Sequence, residues 1–544
     1  MSQTAAPASA VTSEQKAHPR FFEPALLALI VPLCAVGAII GVQLIVTLGI
    51  TANTSLVGAL AAMVLARVPL AGFARYRSIH AQNLAQSAMS AATFGAGNSL
   101  MLPIGIPFVL GRADLVAPML LGVFLAMLID GVMLYRLFDS DVFPAEAAWP
   151  PGAAAAEAIR AGDEGGRKAG ILGIGVLLGI LGNWLGGVPM SAFGVAFIGN
   201  IWALTMFGVG LLVRGYSAAL FNRPALAAVI PGGDISKAYI PHGMMVGAGL
   251  VALAQVGILI LGRQSGARAG KTPADVRRSL GFGAGAYVLV ALVIALSGGL
   301  VTGLSTGMLV GFLVYAAFAA LVHELIVGLA AMHSGWFPAF AVALITLVIG
   351  ILIGFPPPAL ALLVGFSAAT GPAFADMGYD LKAGFMLRGH GADSAFERDG
   401  RRQQLTAAMV AFVIAGLVVL VVYPGNFARG LVAPVDKVYV ATIKAGASAA
   451  VAWSLVIWAV PGAILQFLGG PKRQVGVLFA TGLLIAAPVA GWAVLAGILC
   501  RIAWERLPGQ AAGEGMQVFG AGVIAGDALW SFGNSTYRNT AIGR

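Results

Sequence analysis

The sequence predicts an all-α integral membrane protein of about 14–16 transmembrane helices, in two related halves with broken or re-entrant segments. Three observations predict it. Of 544 residues, 59% are hydrophobic and only 10% charged, against roughly 25% charged in a soluble domain, so the outer surface must face lipid. The apolar residues form long continuous runs, unlike the alternating ten-residue segments of a membrane barrel. Glycine (74) and proline (27) are abundant; small residues let helices approach closely, and both types interrupt helices where cavities form.

Residues 1–20 form a polar tail with no apolar region before Phe21. No cleavable signal peptide is expected, and the first span itself targets the membrane. Lys16 and Arg20 before that span, with Arg67, Arg75, Arg77 and the basic loop 263–278, place the tail in the cytoplasm. In the first half (21–278), apolar runs lie near 25–49, 54–69, 84–109, 115–135, 169–188, 193–213 and 239–262. In the second (279–544) they lie near 280–298, 301–322, 339–355, 358–375, 405–423, 448–468, 475–500 and 516–533. Segments 145–162, 217–232, 326–338 and 430–446 are apolar but short or broken by proline, and read as re-entrant or interfacial. Arg214 also belongs inside, which requires 217–232 to cross or the count elsewhere to differ.

The halves echo each other. PPGAAAAEAIRAG (150–162) is followed downstream by GAGLVA (247–252), and APVDKVYVATIKAG (433–446) by GAGVIA (520–525). Their common order points to an internal duplication, an arrangement typical of secondary transporters.

Other functional classes are excluded by context. The net charge of +10 resides in short loops, as membrane topology demands, and implies no nucleic-acid partner. Two cysteines, Cys34 and Cys500, support neither a disulfide framework nor a thiolate metal cage; no cofactor is expected. Gly303-Leu304-Ser305-Thr306-Gly307 fits a nucleophile elbow by letter, but lies at an apolar helix start without a strand. His323-Glu324 lacks the second zincin histidine, since Val327 occupies that place. Gly270-Lys271-Thr272 lacks the upstream glycine of a P-loop.

Charges inside apolar runs are costly and therefore mark function by default. Asp130 lies deep in LLGVFLAMLIDGVMLYRLF, with Arg136 as the alternative structural partner. Glu324 precedes a helix break at Ser334-Gly335 and Pro338; a carboxyl there can take a proton and present it to a cavity. His323 and His333 are relay or substrate candidates. Asp527 sits near the end of the last run, and Asp376, Asp380 and Lys382 fall in GPAFADMGYDLKAG, with a loop pair of no transport role as the alternative for Asp380 and Lys382. Gln82, Asn83, Gln86, Asn98 and Asn200 each need a partner within a bilayer. Gln86, Ser87 and Asn98 flank a Gly95/Gly97 break ahead of Pro103 and Pro107, where exposed helix ends suit peptide termini.

Four of these stretches carry a family resemblance. GPAFADMGYDLKAGFMLRG followed by RRQQLTAAM resembles the signature of the oligopeptide transporter (OPT) family, a D-L-K-T-G stretch ahead of an arginine–glutamine pair, with Ala383 in place of threonine. WPPGAAAAEAIRAG resembles the family's P-x-G-x-A-x-A-x-x-I segment. IHAQNLAQSAMSAATFGAG resembles its E-N-N-x-x-Q-T stretch, with Ala81 replacing the glutamate. GAGVIAGDAL resembles the terminal G-L-I-A-G-E-A-L, with Asp527 for glutamate. The resemblance implies proton-driven import of short peptides, or of metal chelates as in the Yellow Stripe-like branch, in a bacterial inner (plasma) membrane protein of many passes.

The residues expected to bind substrate are Gln86, Asn98, His333 and Ser334, and those expected to couple protons are Glu324, Asp130 and Asp527. Expected partners are short peptides or metal chelates, protons and the lipid bilayer, with homo-oligomerisation left open. A membrane-embedded enzyme or a channel are the remaining alternatives.

Overall fold

A computed structural model describes residues 18–48, 76–261, 272–335, 339–446, 448–506 and 514–539. The expected span at 54–69, most of the tail 1–20 and Arg67, Arg75, Arg263, Arg268, Lys271 and Pro338 lie outside them. Among the described residues the regular elements are helices, and the one β feature is an isolated Phe138–Phe143 bridge. Among the described residues, ten helical stretches are long and apolar enough to cross a membrane; shorter apolar helices cover Ile201–Gly215, Ile240–Gln255, Ala339–Ile353 and Val475–Leu484.

The first series of helices is α1 (Pro24–Leu48), α2 (Ile79–Phe94), α3 (Leu102–Leu110), α4 (Val116–Leu137), α5 (Pro150–Glu164), α6 (Gly166–Gly186), α7 (Met190–Val195), α8 (Ile201–Gly215) and α9 (Ile240–Leu261). The second begins with α10 (Pro273–Ser297), which runs through the 278/279 division, then α11 (Thr306–Ser334), α12 (Ala339–Ile353), α13 (Pro357–Ala369) and α14 (Pro372–Leu387). It continues with α15 (Ser394–Ala428), α16 (Pro434–Ala445), α17 (Ala449–Arg473), α18 (Val475–Leu484), α19 (Pro488–Glu505) and α20 (Glu514–Asn539).

Two interruptions shape the interior. A π-helical turn at Gly95–Met101 joins α2 to α3. Pro103 lacks the N–H that a regular helix would pair with Ser99, so the ladder must adjust just upstream. The predicted run 358–375 is in fact two helices. Gly371, at φ 99°, takes a conformation closed to most L residues, and Pro372 starts α14 with its ring already at the helical φ. The break expected after Glu324 is present where Gly335 (φ 73°) ends α11.

Other runs also divide. Run 193–213 becomes α7 and α8, and run 475–500 becomes α18 and α19, separated ahead of Pro488. Segment 217–232 is too short-jointed to cross: it holds a helix at Ser217–Phe221 and tight turns at Pro224–Leu226 and Pro231–Gly233. Ser305 caps α11 by accepting from the Met308 N–H, so the elbow-like serine is a helix cap. Thr272 and Asp275 form a capping box on α10.

Small residues set the packing between the two series. Gly175 and Gly179 of α6 meet the backbone of α20, where Gly522 and Gly526 meet α6 in return; a Cβ on Gly526 would lie 2.0 Å from the Val176 carbonyl oxygen. In the same way α9 packs on α17, and a Cβ on Gly247 would lie 1.8 Å from the Ala459 carbonyl oxygen. The two echoing stretches therefore sit on exchanged helices: GAGVIA closes the first series and GAGLVA closes the second. Between them α8 meets α18 at Gly210 and Gly482, whose Cβ would lie 2.3 Å from the Phe207 carbonyl oxygen. Such contacts exclude any side chain larger than hydrogen.

Candidate transport site

The α13–α14 break lies against three buried polar side chains: Asp130 from α4, Tyr287 from α10 and Glu324 from α11, all fully buried. Tyr287 Oη is 2.6 Å from Asp130 Oδ1 and in hydrogen-bond contact with Glu324 Oε2. The Gly371 N–H, freed at the start of α14, donates to Asp130 Oδ2 at 2.9 Å. Glu324 Oε1 has no partner. A phenol carries one hydrogen and cannot donate to two carboxylates. Both contacts are therefore hydrogen bonds only when one carboxyl is protonated and donates to the tyrosine oxygen. Arg136, the alternative partner for Asp130, instead lies over the Phe282 ring at 4.7 Å, with Nε 3.5 Å from Ser279 Oγ.

The other side of the break is held as well. His323 Nδ1 contacts the Ser367 carbonyl oxygen in the last turn of α13, and Thr370 Oγ1 donates to the same oxygen at 3.0 Å. Asp130 thus meets the amide end of one half-helix and His323 the carbonyl end of the other. This complements the two dipoles.

A second polar cluster runs along α2 and α14. Asp376 Oδ1 accepts from Ser90 Oγ at 2.5 Å, and Asp380 Oδ1 accepts from Gln86 Nε2 at 2.6 Å. Asn83 Nδ2 donates to Gln86 Oε1 at 2.8 Å. Asp380 and Lys382 are not the loop pair the sequence suggested. Both are buried on α14, and Lys382 Nζ donates to the Ala145 carbonyl oxygen at 2.9 Å.

Gln404 of α15 ties this cluster to the rest. Its Nε2 donates to the Asp380 carbonyl oxygen at 2.6 Å and to Ser87 Oγ at 3.0 Å, while Oε1 accepts from Arg388 Nη1 at 2.8 Å. Arg388 also pairs with Glu397 at 2.7 Å, and Arg401 joins Glu397 (2.6 Å) to Asp139 (2.9 Å).

The remaining expected residues are placed elsewhere. Asn98 is buried within the π-helical turn. His333 Nδ1 and Ser334 Oγ turn back onto the Leu329 and Ala330 carbonyls of their own helix, at 3.0 and 2.8 Å. The N-terminus of α5 approaches this point, with the Trp149 N–H donating to the Met332 carbonyl at 2.9 Å. Asp527 is bound to Asn183 Nδ2 (2.6 Å), the Ser191 N–H (2.8 Å) and Ser191 Oγ. These bonds make it a joint between α20, α6 and α7. A cavity of about 100 Å³ between α9, α11 and α12 is apolar except for Tyr315 and Thr346, whose Oγ1 accepts from Ser367 Oγ of α13 at 3.1 Å.

A family model described as OPT oligopeptide transporter protein matches residues 183–537. The chain belongs to the OPT family. The matched residues include the DLKAG and RRQQ stretches that Gln404 and Asp380 join, together with GAGVIAGDAL. The stretches at 79–97 and 149–162 lie N-terminal to the match. No curated protein matches the chain. Membership makes this OPT chain a multi-pass membrane transporter of the oligopeptide type. The residues that sequence reasoning missed are Tyr287, a lone phenol in an apolar run, and the Asp376–Asp380–Gln404 set, hidden among charges that read as a loop.

Proposed function

We propose that this OPT chain imports short oligopeptides by proton symport, across a bacterial inner (plasma) membrane, with the proton held on Asp130, Tyr287 and Glu324. The observation that carries this reading is the Tyr287 bridge between two carboxyls at the α13–α14 break. Movement of either half-helix changes which carboxyl the Gly371 N–H supports, and so changes where the proton rests. A ligand that favours one arrangement then favours one proton state. The pathway is proposed to run between the two helix series, taken as related halves, with Gln86 on its polar wall.

The test uses the full chain in proteoliposomes, with labelled di- and tripeptides and an inward proton gradient. Accumulation is expected, and a protonophore should collapse it; uptake indifferent to the protonophore removes proton coupling. Glu324→Gln should abolish accumulation while sparing counterflow exchange. Competition by iron chelates but not by peptides would replace the peptide reading with the metal-chelate one.

A further inference from the structure

The face shared by α2 and α14 holds two carboxyls that the proton site does not use. The helices run antiparallel there, with Ser90 opposite Asp376 and Gln86 opposite Asp380. Each aspartate has one oxygen held by a neutral donor, while Asp376 Oδ2 and Asp380 Oδ2 have no partner. Asn83 Oδ1 and Tyr379 Oη are buried without partners as well. Asp376, Asp380 and Asn83 are at most 1% exposed.

The nearby cationic side chains are committed elsewhere, Lys382 to the Ala145 carbonyl and Arg388 to Glu397 and Gln404. Two buried carboxyls without a counter-charge form a strongly unfavourable arrangement unless protons or a bound cation neutralise them, and the test below separates the two. Tyr379 Oη alone among these atoms carries a hydrogen; Asp376 Oδ2, Asp380 Oδ2 and Asn83 Oδ1 only accept while the carboxyls are ionised. Hard oxygen ligands with net negative charge, and no thiolate or imidazole among them, suit a small hard cation.

We infer that Asp376 and Asp380, with Asn83 tied to Asp380 through Gln86, form a binding site for a small monovalent cation, separate from the Asp130–Tyr287–Glu324 proton site. Two sources supply that chemistry: a sodium ion, or the α-ammonium group of a peptide. The second source rests on the transport reading above; the first does not. Asp376 follows Gly371 by five residues, roughly 7.5 Å along α14. A cation here therefore steadies the same half-helix whose first amide holds Asp130.

The experiment reads binding without a gradient, so failure of the protonophore test leaves it intact. The full chain, purified in detergent, is unfolded thermally at constant ionic strength with sodium replacing N-methylglucamine. The expected result is a saturable rise in Tm that Asp376→Asn and Asp380→Asn abolish and Asp130→Asn retains. In a second arm, a free-amine dipeptide and its N-acetylated form are compared. A rise with the free amine alone, lost in the same two variants, assigns the cation to substrate. Absence of a rise in both arms, or a rise that survives both aspartate variants, overturns the inference. Where an Asn variant aggregates, Asp380→Glu keeps the charge and moves the oxygens. An unchanged midpoint concentration in that variant also overturns it.

Discussion

Gln404 donates its side-chain amide to the backbone carbonyl of Asp380 at 2.6 Å, which binds the middle of α14 to α15. The same side chain reaches Ser87 of α2 and accepts from Arg388, so one residue joins three helices and a buried cation. In this chain the last glutamine of RRQQ thus closes onto the backbone of the DLK stretch.

Replacing Gln404 with alanine should lower stability by about 1–3 kcal/mol, the cost of leaving buried polar groups without partners. Thermal unfolding of the purified chain checks this. An unchanged Tm would mean that the network closes without Gln404.

Tyr287→Phe keeps the ring and removes the oxygen that links Asp130 to Glu324. Hydrogen bonds to charged groups contribute about 1.5–3 kcal/mol. Gradient-driven accumulation should therefore fall roughly ten- to a hundredfold, with counterflow exchange and expression retained. Equal loss of both activities would make the phenol a packing element.

The exchanged helix contacts predict opposite outcomes for one type of change. Gly247→Ala and Gly526→Ala push a methyl onto a backbone carbonyl and should destabilise the protein. Gly311→Ala, where a Cβ meets nothing within 4 Å, should be neutral or gain up to about 1 kcal/mol of helix propensity. Tm values of the three variants in one detergent decide it.

His18 precedes α1, and burial pushes its pKa down to about 4. His80 and Phe396 pack on its ring at 5.2 and 5.4 Å, and Arg388, Glu397 and Asp399 supply the surrounding charge. A histidine with a depressed folded pKa stays neutral in the fold while the unfolded chain takes up protons near pH 6.5. Its contribution is complete above that pH and is lost as pH falls towards 4. His18→Phe should flatten the acid side of the Tm–pH curve over that window; an unaltered curve assigns the acid sensitivity to other groups.

Membrane insertion and helical class were legible because apolar runs of span length have few alternatives. Asp130 and Glu324 were legible as sites because a charge in such a run needs a reason. Tyr287 was not, since a phenol is at home in an apolar helix and only its neighbours reveal the bridge. The break at Gly371-Pro372 was hidden because the apolar run continues across it. Asp376 and Asp380 were obscured by Lys382, which suggested a solvated loop; burial on both faces of α14 is a tertiary fact. The likeness of GAGLVA to GAGVIA was visible, but likeness between segments does not tell which helix each one packs against.

That exchange of α9 and α20 bears on how the chain is made. The glycine face of α6 enters the bilayer early in synthesis, yet the helix it packs against leaves the ribosome after every other helix described. Through most of translation α6 must be shielded by lipid or by an insertion chaperone. Truncation just before α20 would therefore leave an early-made helix with its glycine face uncovered, an exposed intramembrane surface that marks an unfinished chain.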